Sequence, residues 1–186
     1  TNKDIVEAVA NLPEELLTDA IVRAAAGEHD PRLLHYLPER YRTPELVERI
    51  FDADTPTGWR HWDLEYIPQE CRTYNICLRA VANNRNNLRH VPEPLRSGEI
   101  LKQALTGRGV LHLLDLIPQA AWTKELACHV LLHNAPSARS WNRTGDNASR
   151  ERIVQVILSF VPKRIRSAAF YLTLLQKQIL PIATLQ

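Results

Sequence analysis

The stretch Leu88–Leu105, LRHVPEPLRSGEILKQAL, contains one complete copy of a pattern that recurs along the chain. Leu88 and Val91 precede Pro92, and Ser97 follows this proline by five positions. Proline lacks a backbone donor and disfavours helix in the residue before it, so it ends one helix. Serine is a preferred N-cap, so Ser97 is expected to begin the next helix. That helix carries an apolar stripe, comprising Ile100, Leu101, Ala104 and Leu105.

Five further prolines have the same surroundings, and we call all six the anchors. They are Pro13, Pro38, Pro68, Pro92, Pro118 and Pro162, separated by 25, 30, 24, 26 and 44 positions. An apolar residue precedes each anchor, and apolar residues recur four positions before it and eight and twelve positions after it. A hydroxyl residue follows each anchor by five positions, at Thr18, Thr43, Thr73, Ser97, Thr123 and Ser167. Agreement at this many offsets indicates tandem repeats rather than unrelated helices that share caps.

A single pair of short helices cannot bury its apolar stripe, whereas a pair stacked on its neighbours can. We therefore predict an all-α fold of about six stacked helix-turn-helix units of 24–30 residues. This α-solenoid-like arrangement would form one domain over residues 1–186. Residues 134–148, NAPSARSWNRTGDNA, break the pattern and predict an irregular loop insertion. Beyond that loop, Ser149 is expected to cap a helix that runs through Phe160.

The composition suits a globular protein with a core, because 45% of the 186 residues are hydrophobic. No apolar run approaches the ~20 residues that a membrane helix needs. The first residues, Thr1 to Asp4, do not resemble a secretory signal peptide. The three cysteines, Cys71, Cys77 and Cys128, suit a reducing compartment, and we expect them to be small core residues. These features predict a cytoplasmic location.

The run Ala80–Leu101, AVANNRNNLRHVPEPLRSGEIL, is similar to short tandem helical repeats with an L-x-x-V-P-x-x-L-R-T/S core. Those repeats form a bacterial domain family of unknown function that is frequent in secreted effectors of pathogens. The resemblance covers the six anchors, but it departs from the family pattern at two spacings and at Trp122, where four copies carry Arg. It implies a helical platform, a setting in a secreted effector or toxin system, and action in a host cytosol. It implies no catalytic residue.

Arginine stands four positions after four of the anchors, at Arg42, Arg72, Arg96 and Arg166. Stacking would align these side chains in a row that could bind an acidic partner. Alternatively, each arginine pairs with nearby acids or with the carbonyls that end the preceding helix. We favour this second, structural reading of the row.

Tryptophans in or beside the irregular segments are further candidates for partner contacts. Trp141, with Arg143 beside it in the same loop, is the best single candidate. For Trp59 and Trp62, packing in the core is an equally good reading. Trp122 stands just before a cap residue and is expected to be half-buried.

The nearest approach to a metal or nucleophilic site is formed by Cys128, His129 and His133. The two histidines share a helix face at i, i+4, but Cys128 points about 100° away from His129. No Cys-x-x-Cys pair accompanies them. We therefore expect no metal, no cofactor and no catalytic residue.

The leading functional hypothesis is a non-enzymatic protein–protein interaction module. The formal charge of +2 divides unevenly, since residues 139–177 sum to +6 and the rest of the chain to −4. The first alternative is therefore nucleic-acid binding through this basic end. The second alternative is a module that recruits substrates for a larger enzyme.

Overall fold

The structure is a computed structural model that describes residues 2–27, 30, 32–50, 63–107, 109–134, 147–177 and 179. Every regular element in these residues is helical, and they include no β-strand. The all-α prediction is thereby confirmed, while the stacked solenoid stays a prediction. The chain clusters into two compact units, Thr1–Pro92 and Glu93–Gln186, which we call unit 1 and unit 2. The single domain over residues 1–186 stays a prediction. None of the described helices has the length and apolar content needed to cross a bilayer.

The described residues contain nine α-helices, separated by short 3₁₀ helices. The α-helices are α1 (Asn2–Ala10), α2 (Asp19–Ala26), α3 (Leu33–Tyr36), α4 (Pro44–Ile50), α5 (Tyr74–Asn83), α6 (Gly98–Ala104), α7 (Lys124–Asn134), α8 (Asn147–Phe160) and α9 (Ala168–Gln176). The 3₁₀ helices are Glu14–Leu16, Glu39–Tyr41, Leu64–Tyr66, Gln69–Cys71, Arg85–His90, Glu93–Leu95, Leu111–Leu116 and Gln119–Ala121. We call α2, α4, α5, α6, α7 and α9 the second helices, because each follows an anchor and its cap.

Each of the first five anchors is followed at once by a 3₁₀ helix, and Pro162 is followed by a turn. At five anchors the N–H three positions later donates to the proline carbonyl at 2.9–3.0 Å. Proline cannot continue the preceding helix, because it lacks an N–H and its ring blocks the helical path. The anchors therefore end one helix and deliver the cap residue of the next. The element before the anchor is itself 3₁₀ rather than α at Leu64–Tyr66, Arg85–His90 and Leu111–Leu116.

Five of the six predicted caps are confirmed. In each, the side-chain oxygen accepts the backbone N–H three residues on at 3.1–3.4 Å, at Thr18, Thr43, Thr73, Thr123 and Ser167. Ser97 is the exception, because its backbone is extended but its side chain makes no cap hydrogen bond. Gly98 follows it with φ +49°, in the left-handed region that favours glycine. The first turn of α6 therefore does not present its N–H groups to the Ser97 hydroxyl.

The predicted cap at Ser149 is wrong, because α8 begins at Asn147 and Ser149 lies within its first turn. The predicted loop 134–148 is shorter at both ends, since Asn134 is the last residue of α7 and α8 already includes residues 147 and 148. Residues 135–146 lie outside the described residues.

Apolar residues around the anchors form the core of unit 1. Those that are almost fully buried include Leu33, Leu34, Leu37, Val47, Ile50, Leu64, Ile67, Ile76, Leu88 and Val91. The buried Asn87 joins three segments here, because its Oδ1 accepts the Leu64 N–H at 2.8 Å and its Nδ2 donates to the Ala80 carbonyl at 3.0 Å. Cys71 and Cys77 are buried, as predicted. Burial raises the pKa of the Cys77 thiol to about 11, so the thiolate is disfavoured at neutral pH.

Unit 2 has its own core, to which the apolar stripe of the opening stretch contributes. Its fully buried residues include Ile100, Leu101, Ala104, Leu105, Leu113, Val130, Leu131, Ile157, Phe170 and Leu174. Asn134 ties α7 to the end of α6, since its Nδ2 donates to the carbonyls of Leu105 and Val130 at 3.1 and 2.9 Å. Trp122 is only 2% exposed and thus buried, not half-buried as predicted. It stands where four copies carry arginine, and without a charge it can enter the core.

The different geometries of Thr123 and Ser97 predict different costs for removing their hydroxyls. We expect Thr123→Ala to lower the free energy of unfolding by about 1 kcal/mol, because the Leu126 N–H loses its acceptor. Ser97→Ala should change it by less than about 0.5 kcal/mol, because no cap bond is lost. Urea unfolding of the two variants beside the parent chain measures both values. Equal losses would contradict this distinction between the caps.

Candidate binding clefts

Three of the four arginines that lie four positions after the anchors donate to backbone carbonyls near helix ends. The Nε of Arg42 donates to the Leu37 carbonyl at 2.7 Å, and that of Arg72 donates to the Ile67 carbonyl at 2.8 Å. Both acceptors immediately precede an anchor. Arg72 also donates from Nη1 to the His90 carbonyl at 2.8 Å. Arg96 donates from Nη1 to the Leu116 carbonyl at 3.3 Å.

These second acceptors, His90 and Leu116, each lie two positions before the next anchor along the chain. A single guanidinium at this position can therefore bridge two successive proline turns, as that of Arg72 does. Such bonds give the arginines the structural role that we favoured from the sequence. A role in partner binding for Arg42, Arg72, Arg96 and Arg166 stays a prediction.

The backbone at these arginines has its own conformation. At all four positions, the N–H of the following hydroxyl residue donates to the carbonyl two residues earlier, at 2.7–2.9 Å. Arg42 and Arg72 accordingly have φ/ψ of −82°/70° and −78°/71°, which is an inverse γ-turn. Leu17 and Trp122 occupy the same position with ψ of 100° and 117°, which is extended. The γ-turn thus accompanies the arginine.

Arg166 departs from this pattern, because its Nε is buried and finds no acceptor among the described residues. Its neighbour Arg164 is engaged instead, with its Nη2 donating to the carbonyls of Gln119 and Trp122 at 2.7 and 3.2 Å. Of the other predicted contact residues, Trp59, Trp62, Trp141 and Arg143 lie outside the described residues.

A cleft of about 680 Å³ opens on unit 1 between α2, α4 and α5, and we call it the mixed cleft. Its charged lining residues are Asp19, Arg23, Arg40, Glu45, Glu48, Arg49 and Arg79. Arg40 is held in place by an ion pair with Glu14 and lies over the ring of Tyr41 at 4.9 Å. The lining of this cleft therefore carries charges of both signs.

A second cleft, of about 380 Å³, opens on unit 2 between α6, α7 and α9, and we call it the lysine cleft. It is lined by Lys102, Lys124, Glu125, Cys128, His129, Leu132, Thr173 and Lys177. None of its three lysine ammonium groups forms an ion pair with a described residue. The Glu125 carboxylate accepts hydrogen bonds from its own backbone N–H and from the Thr123 side chain, and both bonds lower its pKa. The side chain of Leu132 is 44% exposed.

The two clefts use the same positions of equivalent helices. Arg23, Glu48, Lys102 and Cys128 each lie ten positions after an anchor, and Arg49, Arg79, His129 and Thr173 lie eleven positions after one. The buried stripe occupies positions eight, nine, twelve and thirteen. At about 100° per residue, positions ten and eleven lie on the opposite side of the helix. Positions ten and eleven of successive second helices therefore contribute four lining residues to each cleft.

His129 fixes one wall of the lysine cleft. Its Nε2 lies 3.1 Å from the Lys102 carbonyl and 2.9 Å from Thr106 Oγ1, which itself donates to the Lys102 carbonyl at 2.7 Å. A ring hydrogen on Nε2 is the tautomer in which both contacts are hydrogen bonds, because the Lys102 carbonyl only accepts. Burial lowers the pKa of His129, and the ring of His133, 4.3 Å away, lowers it further. His129 is therefore neutral at neutral pH.

Cys128 in the lysine cleft is buried, and burial raises the pKa of its thiol against the opposing effect of Lys124 and Lys177. The thiol is therefore protonated at neutral pH, which disfavours nucleophilic chemistry. In the part of the chain that the structure describes, no group of three or more His, Cys, Asp or Glu side chains could hold a metal ion.

Sequence reasoning did not single out Lys102, Lys124, Lys177 or Leu132. The row of residues ten and eleven positions after the anchors could have found Lys102, whereas Lys124, Leu132 and Lys177 lie six, fourteen and fifteen positions after their anchors, outside that row.

No family model, curated protein or solved structure matched the chain. The resemblance to bacterial effector repeats therefore stays a prediction.

The two hydrogen bonds of Arg72 predict a large cost for its removal. We expect Arg72→Ala, and also Arg72→Lys, to lower the free energy of unfolding by about 1–3 kcal/mol, because both leave partly buried carbonyls without a donor. Arg23→Ala is the control, since Arg23 is an exposed arginine of the same unit, and it should change stability by less than about 0.5 kcal/mol. Urea unfolding measures all three. If Arg72→Ala lowers the free energy of unfolding no more than Arg23→Ala does, the carbonyl contacts do not stabilise the turns.

The environment of His129 predicts a pH dependence. Because the folded pKa lies below the unfolded value of about 6.5, the unfolded state binds more protons in acid. The contribution of His129 to stability is therefore fully present above about pH 6.5 and is lost as the pH falls through its folded pKa. We expect His129→Gln to make the decrease in melting temperature between about pH 7 and pH 5 shallower than in the parent chain. An unchanged pH profile in thermal denaturation would contradict this account.

Proposed function

We propose that the protein is a non-enzymatic module that binds other proteins through the mixed cleft and the lysine cleft. The observation that carries this proposal is the shared register of the clefts. The stripe positions are apolar in every copy, whereas positions ten and eleven, eight of whose twelve residues line a cleft, change their chemistry from copy to copy. Stacked helical repeats typically use such a surface to hold an extended or helical segment of a partner.

In the arrangement that we propose, the helix pairs stack into an α-solenoid-like domain. The two-carbonyl bond of Arg72 supports this, because it joins successive proline turns in the manner of a repeated inter-pair contact. On the resemblance alone, we propose a setting in a secreted bacterial effector or toxin system that acts in a cytosol.

A binding role is favoured over catalysis by the chemistry of the clefts. The only cysteine lining the described clefts, Cys128, has a raised thiol pKa. The histidine beside it is engaged with Thr106 and a backbone carbonyl. A module that recruits substrates for a larger enzyme would use the same clefts for the same purpose.

Nucleic-acid binding through the basic end is less well supported. The Arg164 guanidinium, one of the charges that this alternative needs, is already committed to two backbone carbonyls. Non-specific binding to phosphates requires several cations that are available together.

A display selection with short random peptides on the immobilised full chain tests the proposal. We expect enriched peptides whose binding is weakened by changes in a cleft, such as Arg49→Glu in the mixed cleft or Lys177→Glu in the lysine cleft. The exposed residue Arg152 lies in neither cleft, so Arg152→Glu is the control that should leave binding intact.

The proposal fails if no peptide is enriched over an unrelated helical protein. It also fails if the enriched peptides bind all cleft variants as well as they bind the parent chain. Tighter binding of a single-stranded DNA oligonucleotide, falling steeply with salt, would favour the nucleic-acid alternative instead.

A further inference from the structure

The charge of the lysine cleft is unbalanced. Lys102 and Lys177 are exposed and Lys124 is half-buried, and no described carboxylate pairs with any of them. The one acid in the lining, Glu125, already interacts with the Thr123 side chain and the helix N-terminus. Lys124 and Lys177 both lower the pKa of the Cys128 thiol, and Lys102 and Lys124 both lower the pKa of Glu125. The three ammonium groups therefore lie close to the same part of the cleft.

The position of Lys124 works against stability. It is the first residue of α7, an eleven-residue helix, and the N-terminus of a helix disfavours a positive charge. Folding alone would favour an acid or a neutral residue here, as at Asp19 in α2. The dipole of α7 therefore does not account for a cation at this position.

Apolar side chains contribute to the lining of the cleft. Cys128 is buried and Leu132 is 44% exposed one helical turn further along α7. His129 between them is kept neutral by burial and by the neighbouring His133 ring, which lower its pKa against the opposing effect of the bond to the Lys102 carbonyl. A lining that combines three lysines with the exposed apolar side chain of Leu132 is complementary to a chain that carries both carboxylates and an aliphatic side chain.

We infer that the lysine cleft binds an acidic peptide segment in which carboxylates flank an aliphatic residue. This inference rests on the proposed function and names the partner chemistry of one of its two clefts. The carboxylates contact Lys102, Lys124 and Lys177, and the aliphatic side chain covers Leu132. A nucleic acid fits less well, because the described lining contains no arginine and no aromatic ring other than His129 on which a base could stack.

The test is a fluorescence-anisotropy titration of the full chain with a fluorescein-labelled peptide, Asp-Glu-Leu-Glu-Asp-Leu-Asp. A second peptide, in which Asn and Gln replace Asp and Glu, is the matched ligand control. We expect the acidic peptide to bind more tightly than the amide peptide, and its affinity to fall as salt rises from about 50 to about 500 mM.

The matched protein variants remove equal charge from the same unit. Lys124→Gln with Lys177→Gln should weaken binding of the acidic peptide about fivefold to thirtyfold. Arg152→Gln with Lys163→Gln removes two cations that lie outside the cleft and should leave the affinity nearly unchanged. Leu132→Ser should also weaken binding, whereas Leu172→Ser, at an exposed leucine of the same unit outside the cleft lining, should not. Lys124→Gln alone should raise the melting temperature while it lowers affinity, which separates recognition from folding.

The inference is overturned if the acidic peptide binds no better than the amide peptide, or if the two double variants weaken binding equally. It is also overturned if single-stranded DNA displaces the acidic peptide and binds more tightly to the same lysines. If the display selection enriches neutral or basic peptides that depend on the mixed cleft, the proposed function stands and this inference alone fails.

Discussion

Each anchor proline interrupts a helix and leaves carbonyl groups without an intrahelical donor, and the fold depends on how these groups are satisfied. The chain supplies donors by position. Where the fourth residue after the anchor is arginine, Nε at Arg42 and Arg72 returns to the carbonyl before the anchor. Where the third residue is Tyr41 or Cys71, its side chain donates to the carbonyl of the fourth residue of the preceding copy, at 2.7 and 2.8 Å. A proline that would otherwise only end a helix thus becomes a point at which neighbouring turns are joined.

This arrangement explains which features the sequence could predict. The turns and caps follow from local rules about proline and hydroxyl side chains, which act within five residues, so Thr18, Thr43, Thr73, Thr123 and Ser167 were predictable. The cap at Ser97 was not, because a single glycine with positive φ redirects the first turn of α6. Ser149 was misplaced because no proline stands near the start of α8 to fix where it begins. Neither exception can be detected from a pattern of residue types alone.

The candidate clefts were not predictable in the same way, because a cleft belongs to several helices at once. The residues lining the lysine cleft come from α6, α7 and α9, which are separated along the chain by up to 75 positions between Lys102 and Lys177. Their convergence depends on which second helices are neighbours, and the repeat pattern specifies the helices without specifying that packing. The sequence shows that the C-terminal stretch is basic, but it does not show which of its cations bind backbone carbonyls and which line a cleft. Arg164 in that stretch is occupied by carbonyls, while Lys177 lines a cleft.

Different positions along each second helix therefore serve either folding or the lining of a cleft. The hydroxyl cap, the arginine and the apolar stripe satisfy the backbone and bury the core, so the residues ten and eleven positions after an anchor are released from both tasks. Their identity is then free to vary, from Arg23 and Glu48 in unit 1 to Lys102 and His129 in unit 2. Lys124 differs from these residues, because it is the first residue of its helix, where local electrostatics favours a neutral or acidic side chain. A residue that opposes the local preference in an otherwise consistent helix is the expected sign of a functional constraint.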